Sequence, residues 1–141
     1  MHLSAYTVFL RIPDGYPLEA AGPVFCAGIT LYSPLAHWGA LKGDLRVGVV
    51  GIGGLGQMGV RLAAAMGNKV TAISSTPSKK DAALELGADN FVVSSDAESM
   101  KAAAGSLDLI LNTISADHQV NPICGGEMNL FTDGDGGEYH L

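Results

Sequence analysis

Six consecutive residues, Gly51-Ile52-Gly53-Gly54-Leu55-Gly56, constrain the fold more than any other part of this sequence. They follow Arg46 to Val50 (RVGVV), a short apolar run that reads as a buried strand. They open Gly54 to Met66, where Leu55, Met58, Leu62 and Met66 fall on one helical face. A glycine cluster has little meaning alone, but between a buried strand and a helix it marks the first turn of a βαβ unit. Gly51 permits a tight turn off the strand, Gly53 removes a side chain where a pyrophosphate would approach the backbone, and Gly56 lets the helix pack closely on the sheet. The amides of Gly54 and Leu55 would then face an anion at the positive end of the helix dipole.

The alternation continues downstream. Val70 to Ser74 reads as a second buried strand, Ser78 to Leu86 as a helix, Asn90 to Val93 as a strand, Asp96 to Ala104 as a helix and Leu107 to Leu111 as a fourth strand. Short apolar strands separated by helices predict the α/β class: a Rossmann-type parallel sheet with helices on both faces, of which about four of six strands are recognisable. Residues 121–141 hold Gly125, Gly126, Gly134, Gly136 and Gly137 and show neither strand nor helix periodicity, so they read as an irregular tail. That leaves the edge of Leu107 to Leu111 exposed, which predicts a homo-oligomer paired across it. Upstream, Tyr6 to Ile12 resembles a lone strand. Pro17 to Gly39 has helical spacing punctuated by Pro23 and Pro34, which predicts two or three short helices. The expected division is a leading segment (1–40), a nucleotide-binding domain (41–120) and the tail (121–141).

The residue ending the second strand discriminates between dinucleotides, because an acid there accepts from a ribose 2′-hydroxyl and repels a 2′-phosphate. This sequence has Ser74-Ser75-Thr76-Pro77-Ser78-Lys79-Lys80 instead: hydroxyls followed by two ammonium groups, a set suited to a phosphate dianion. NADP(H) is therefore expected over NAD(H), while Thr76 or Ser78 could also cap the next helix. FAD or S-adenosylmethionine would have no use for such a set. With 14 acidic and 8 basic residues among 141, a net charge of −6, the composition argues against a nucleic-acid or anionic-membrane partner. No apolar run reaches the roughly 18 to 20 residues of a membrane span. Two cysteines, Cys26 and Cys124, are too few for a disulfide framework, and a cytoplasmic location is expected.

Cys26-Ala27-Gly28-Ile29-Thr30-Leu31-Tyr32-Ser33-Pro34-Leu35, then VGVVGIGGLGQMGVRLAAAMG, then SSTPSKK and Leu86-Gly87-Ala88-Asp89, resemble the cofactor-binding half of zinc-dependent medium-chain alcohol dehydrogenases over residues 6 to 122. Within that family the resemblance is to the cinnamyl alcohol dehydrogenase branch and its bacterial aldehyde reductase relatives. It implies hydride transfer between NADPH and an aldehyde. It also implies that Cys26 is a zinc ligand, that Thr30 and Thr113 contact the cofactor beside Gly51, Ile52, Gly53, Gly54, Leu55 and Gly56, and that Ser74, Ser75, Thr76 and Lys79 surround the 2′-phosphate. Chemistry alone reads Cys26 as a buried hydrophobe, since a catalytic zinc needs three protein ligands and none stands at suitable spacing. His2, His37, His118 and His140 read as surface or terminal residues. The family's other ligands belong to an N-terminal catalytic domain, so the chain is expected to be truncated and inactive by itself. A non-catalytic NADP(H)-binding or sensing module is the alternative.

Overall fold

The structure is a computed structural model that describes residues 11–115 together with the backbone of residues 129–132 and 138–140. Its centre is the first βαβ unit. Strand β1 (Arg46–Val50) leads through the glycine turn into helix α2 (Gly54–Ala65), which returns to β2 (Lys69–Ser74). Then follow α3 (Lys80–Glu85), entered through a single 3-10 turn at Pro77–Lys79, β3 (Asn90–Val93), α4 (Ala97–Ala103) and β4 (Leu109–Asn112). The strand order is β3-β2-β1-β4, then β5 (Asn129–Thr132) and β6 (Glu138–His140). Every pairing from β3 to β5 is parallel, and β6 runs antiparallel to β5. The expected Rossmann-type α/β sheet is therefore present. Because β1 is flanked by β2 on one side and β4 on the other, the order reverses there, and in sheets of this kind ligands bind beyond the carboxyl ends of the strands at that point.

Alternation along each strand divides the core in two. Val47, Val49, Val70, Ala72, Leu109 and Leu111 face one side, packed with Val60 and Ala63 of α2. Val50, Ile73 and Ile110 face the other, against Met100 of α4 and Leu107. Helices thus cover both faces, and the period of two in each strand decides which residues meet which helix.

Several expectations need correction. Residues 121–141 were expected to be irregular, yet they supply β5 and β6. Leu109 through Asn112 of β4 stand in register with Asn129 through Thr132 of β5, so the edge expected to be exposed is paired. The oligomer inferred from that edge loses its argument. The two or three short helices expected between Pro17 and Gly39 are one 20-residue helix, α1 (Leu18–His37), with Pro23 and Pro34 inside it. Leu31 and Leu35 are completely buried in the core shared with α2. At about 1.5–3 kcal/mol for each buried leucine, this burial is of the same order as the roughly 3 kcal/mol an interior proline costs. Thr76 precedes the 3-10 turn, but no side-chain cap is made there; Ser74 Oγ instead accepts from the Thr76 amide at 3.2 Å. The strand expected at Tyr6 to Ile12 lies outside the described residues except for its last two positions, which are not in a strand. Among the described residues, no helix is long and apolar enough to cross a membrane.

Candidate functional site: the turn between β1 and α2

The glycine loop is shaped by steric demands that differ along its length. Gly51 has φ +87°, and a Cβ there would come within 2.6 Å of Ile114 Cγ1. At Gly56 a Cβ would overlap the carbonyl oxygen of Gly51. Those two glycines are required by the chain itself. Gly53 is another matter: its backbone is extended, with φ −96°, and an added Cβ would meet nothing within 4 Å. Gly54 likewise looks into open space. Neither backbone strain nor a protein neighbour demands glycine at these two positions, so the bare backbone is free to receive something from outside.

Polarity reinforces the shape. The carbonyl of Val50 accepts from the Thr113 amide at 2.9 Å, and Thr113 Oγ1 lies 2.8 Å from that oxygen and 2.7 Å from the Gly51 carbonyl. The Ile52 carbonyl accepts from Lys79 Nζ at 2.9 Å, and that of Gly53 from the Gln57 amide at 2.9 Å. Four successive carbonyls are thus held by donors of the protein. The first amides of α2, which a helix leaves unused, are those of Gly54 and Leu55. The turn therefore offers N–H groups and the positive end of a helix dipole, an arrangement that binds anions.

The end of β2 adjoins this turn. Ser74 is buried, Ser75 and Thr76 are exposed, and no carboxylate stands at the strand end. Lys79, half-buried, reaches back to the loop, whereas Lys80 is exposed at the start of α3. The structure thus brings together Gly51 to Gly56, Lys79 and Thr113. Thr30 sits on α1 with its hydroxyl donating to the Cys26 carbonyl at 2.9 Å, a bond within its own helix. Cys26 is exposed and its thiol is free, so its reading as a buried hydrophobe is overturned. Among the described residues, no three His, Cys, Asp or Glu side chains are gathered as a metal would need. His37 is exposed and stacks edge-on against Trp38 at 5.0 Å.

Two residues at this end of the sheet make contacts that sequence reasoning did not give. Ile114 fills the space that a side chain at position 51 would take. Asn112 is buried at the end of β4, its Oδ1 accepting from the Ile114 amide at 3.3 Å. The available signal was their place at and just past the end of the fourth strand, beside the point where the strand order reverses.

Comparison with known proteins agrees with this geometry. Residues 54–124, about half of the chain, match the family model described as zinc-binding dehydrogenase. A probable mannitol dehydrogenase from Fragaria ananassa is 53% identical over 117 residues, covering 82% of this chain and 33% of that protein. Among solved structures, a cinnamyl alcohol dehydrogenase from Sorghum bicolor superposes with a TM-score of 0.84 at 47% identity, over 89% of this chain and 36% of its own. The enzyme of the same name from Helicobacter pylori, solved with NADP(H), gives 0.76 at 35% identity over 89% of this chain and 35% of its own. The chain spans about a third of the length of the relatives it matches. The family-model match over half of the chain, whose glycine turn lies where the β3-β2-β1-β4 order reverses, makes this chain a member of the zinc-binding dehydrogenase family.

Proposed function

We propose that this chain is the NADP(H)-binding part of an alcohol dehydrogenase or aldehyde reductase of the cinnamyl alcohol dehydrogenase kind. One observation carries the reading: a glycine turn with open space at Gly53 and Gly54 stands next to a strand end that offers Ser74, Ser75, Thr76 and Lys79 and no carboxylate. The residues fit a dinucleotide. Gly51 to Gly56 would hold the pyrophosphate, with Ile52 and Leu55 anchoring the turn in the core. Ser74, Ser75, Thr76 and Lys79 would hold the 2′-phosphate, while Thr30 and Thr113 would flank the nicotinamide side. The cofactor, when bound, supplies the hydride exchanged with an aldehyde carbon. The task of these residues is to bind and orient it, with the loop carbonyls turned away from its negative charge. That the Helicobacter pylori relative is solved with NADP(H) supports the same reading.

The described residues do not fit a zinc site. A catalytic zinc takes three protein ligands, and Cys26 stands on an exposed face of α1 without two others gathered near it. No step through a metal is therefore assigned to this chain, and it is proposed to bind cofactor without turning over alcohols by itself. The same observation favours the second reading, a non-catalytic NADP(H)-binding module. Metal analysis of the purified chain tests this: absence of zinc is expected, and stoichiometric zinc removed by Cys26→Ser would overturn it and exclude the non-catalytic reading. Cytoplasmic residence belongs to the proposal, with Cys26 a free thiol.

Calorimetric titration tests the cofactor. A charge-assisted contact to the 2′-phosphate contributes about 1.5–3 kcal/mol, so NADPH should bind at least roughly tenfold more tightly than NADH. Equal affinities would remove the NADP preference, and binding of neither would remove the dinucleotide reading.

A further inference from the structure

We propose that Lys79 is a positioning residue of the phosphate-binding turn itself: by holding the Ile52 carbonyl it orders the loop for any dinucleotide, with or without a 2′-phosphate. The effect on cofactor affinity rests on the dinucleotide reading above. The effect on the ligand-free loop does not.

Ile52 and Lys79 are 27 positions apart, and the 2.9 Å bond from Nζ to the carbonyl oxygen closes the gap between the glycine turn and the end of β2. The peptide that follows Ile52 is fixed from two sides. Its side chain is buried, 2% exposed, in the core below α2, and its oxygen is held by the ammonium above. On the other flank Thr113 does the corresponding service for the Val50 and Gly51 carbonyls. Without Lys79 the Ile52 oxygen would be the one loop carbonyl from Val50 to Gly53 lacking the donor seen here. Its lone pairs would be free to turn toward the region where the Gly54 and Leu55 amides invite an anion. An uncompensated carbonyl near that position repels a phosphate, and a charge-assisted bond to the oxygen removes the repulsion while fixing the peptide plane.

The ammonium has three donors. One is spent on Ile52, which leaves two for a phosphate at the Ser74-Ser75-Thr76 turn. The same side chain can therefore belong to both subsites at once, and a group at the 2′-position would tighten the loop that grips the pyrophosphate. Lys80 is the internal contrast: adjacent in sequence, of equal charge, exposed at the start of α3, and not bonded to the turn.

The test uses the full chain and the variants Lys79→Met, Lys79→Arg and Lys80→Met, with unchanged far-UV circular dichroism as the check on folding. Hydrogen exchange is followed without ligand at the Gly51 and Gln57 amides, which flank the loop and donate to the Ile73 and Gly53 carbonyls at 2.9 Å, and NADPH and NADH are titrated by calorimetry. Lys79→Met should speed loop exchange by roughly threefold to tenfold and weaken NADH by a similar factor, because one charge-assisted bond orders the turn. NADPH should lose more. Lys79→Arg should restore loop protection and most NADH affinity, and Lys80→Met should leave both unchanged. Unaltered loop exchange in Lys79→Met, or equal effects from Lys80→Met, would overturn the proposal and leave Lys79 as at most a 2′-phosphate contact. If wild type binds neither dinucleotide, the cofactor reading fails, while the exchange measurement still decides whether Lys79 holds the loop.

Discussion

Glycine at position 53 and glycine at position 56 answer to different causes, and substitution should separate them. At Gly56 the neighbour is the protein: a Cβ would overlap the Gly51 carbonyl, so Gly56→Ala must push α2 off the turn. Overpacking of that kind costs about 1–3 kcal/mol, and a lowered melting temperature is expected even without cofactor. At Gly53 nothing lies within 4 Å of an added Cβ, and the backbone is one that valine adopts readily. Gly53→Val should therefore keep its far-UV circular dichroism and melting temperature yet lose dinucleotide binding. Intact NADPH binding in that variant would mean that the turn serves the fold and nothing else. These positions were legible in the sequence because the whole turn is six consecutive residues. Thr113 was named only through the family resemblance and Lys79 only for the 2′-phosphate; their bonds to the turn's carbonyls were not legible, since Thr113 lies 62 positions from Gly51 and no spacing rule connects them.

Between elements, what could be read depended on whether the decisive interaction was local. Arg46 to Val50 and Asn90 to Val93 carry their own β-branched signal, and the strands fall on those residues. Helix α1 defied its prolines because the compensation comes from Leu31 and Leu35 packing in the core shared with α2, contacts that no local pattern contains. The fourth strand was expected at Leu107 and begins at Leu109. Asp108 explains the shift: its amide donates to the Arg46 carbonyl at 2.8 Å, while its carboxylate takes the Arg46 amide at 2.8 Å and the guanidinium through two bonds of 2.6 and 3.0 Å. This clamp fastens the start of β1 to the entry of β4. The guanidinium hydrogen bond holds the Asp108 carboxyl below the usual carboxylate range, and the Val70 amide does the same for Asp89. A carboxyl whose folded value is depressed adds stability above its unfolded value, near 3.9, and loses it as pH falls through the folded value. Melting temperature should hold steady above about pH 5 and decline below about pH 4. Asp108→Asn should start lower and decline less steeply. Equal acid slopes for wild type and variant would show that the clamp does not couple to folding.

For the whole molecule the question is what completes the sheet beyond β4. Its four residues, Leu109–Asn112, are all buried, and the adjoining strand β5 comes from a segment whose glycines and short length hide it from any periodicity. Four residues span too few alternations for a pattern to emerge, and a parallel strand's partner is set by topology rather than by neighbouring sequence. The pairing has a consequence that can be measured. Removing residues 121–141 deletes β5 and β6 and leaves the β4 backbone as a bare apolar edge at the middle of the intended sheet, the kind of edge that templates association between chains. The truncated chain should scatter light as larger species at micromolar concentration and melt at a lower temperature than the full chain, and charged substitution at Leu111 should not rescue it, because that side chain belongs to the core. If full and truncated chains show the same mass and the same melting temperature, the tail does not cover β4, and the edge must be closed by something other than β5.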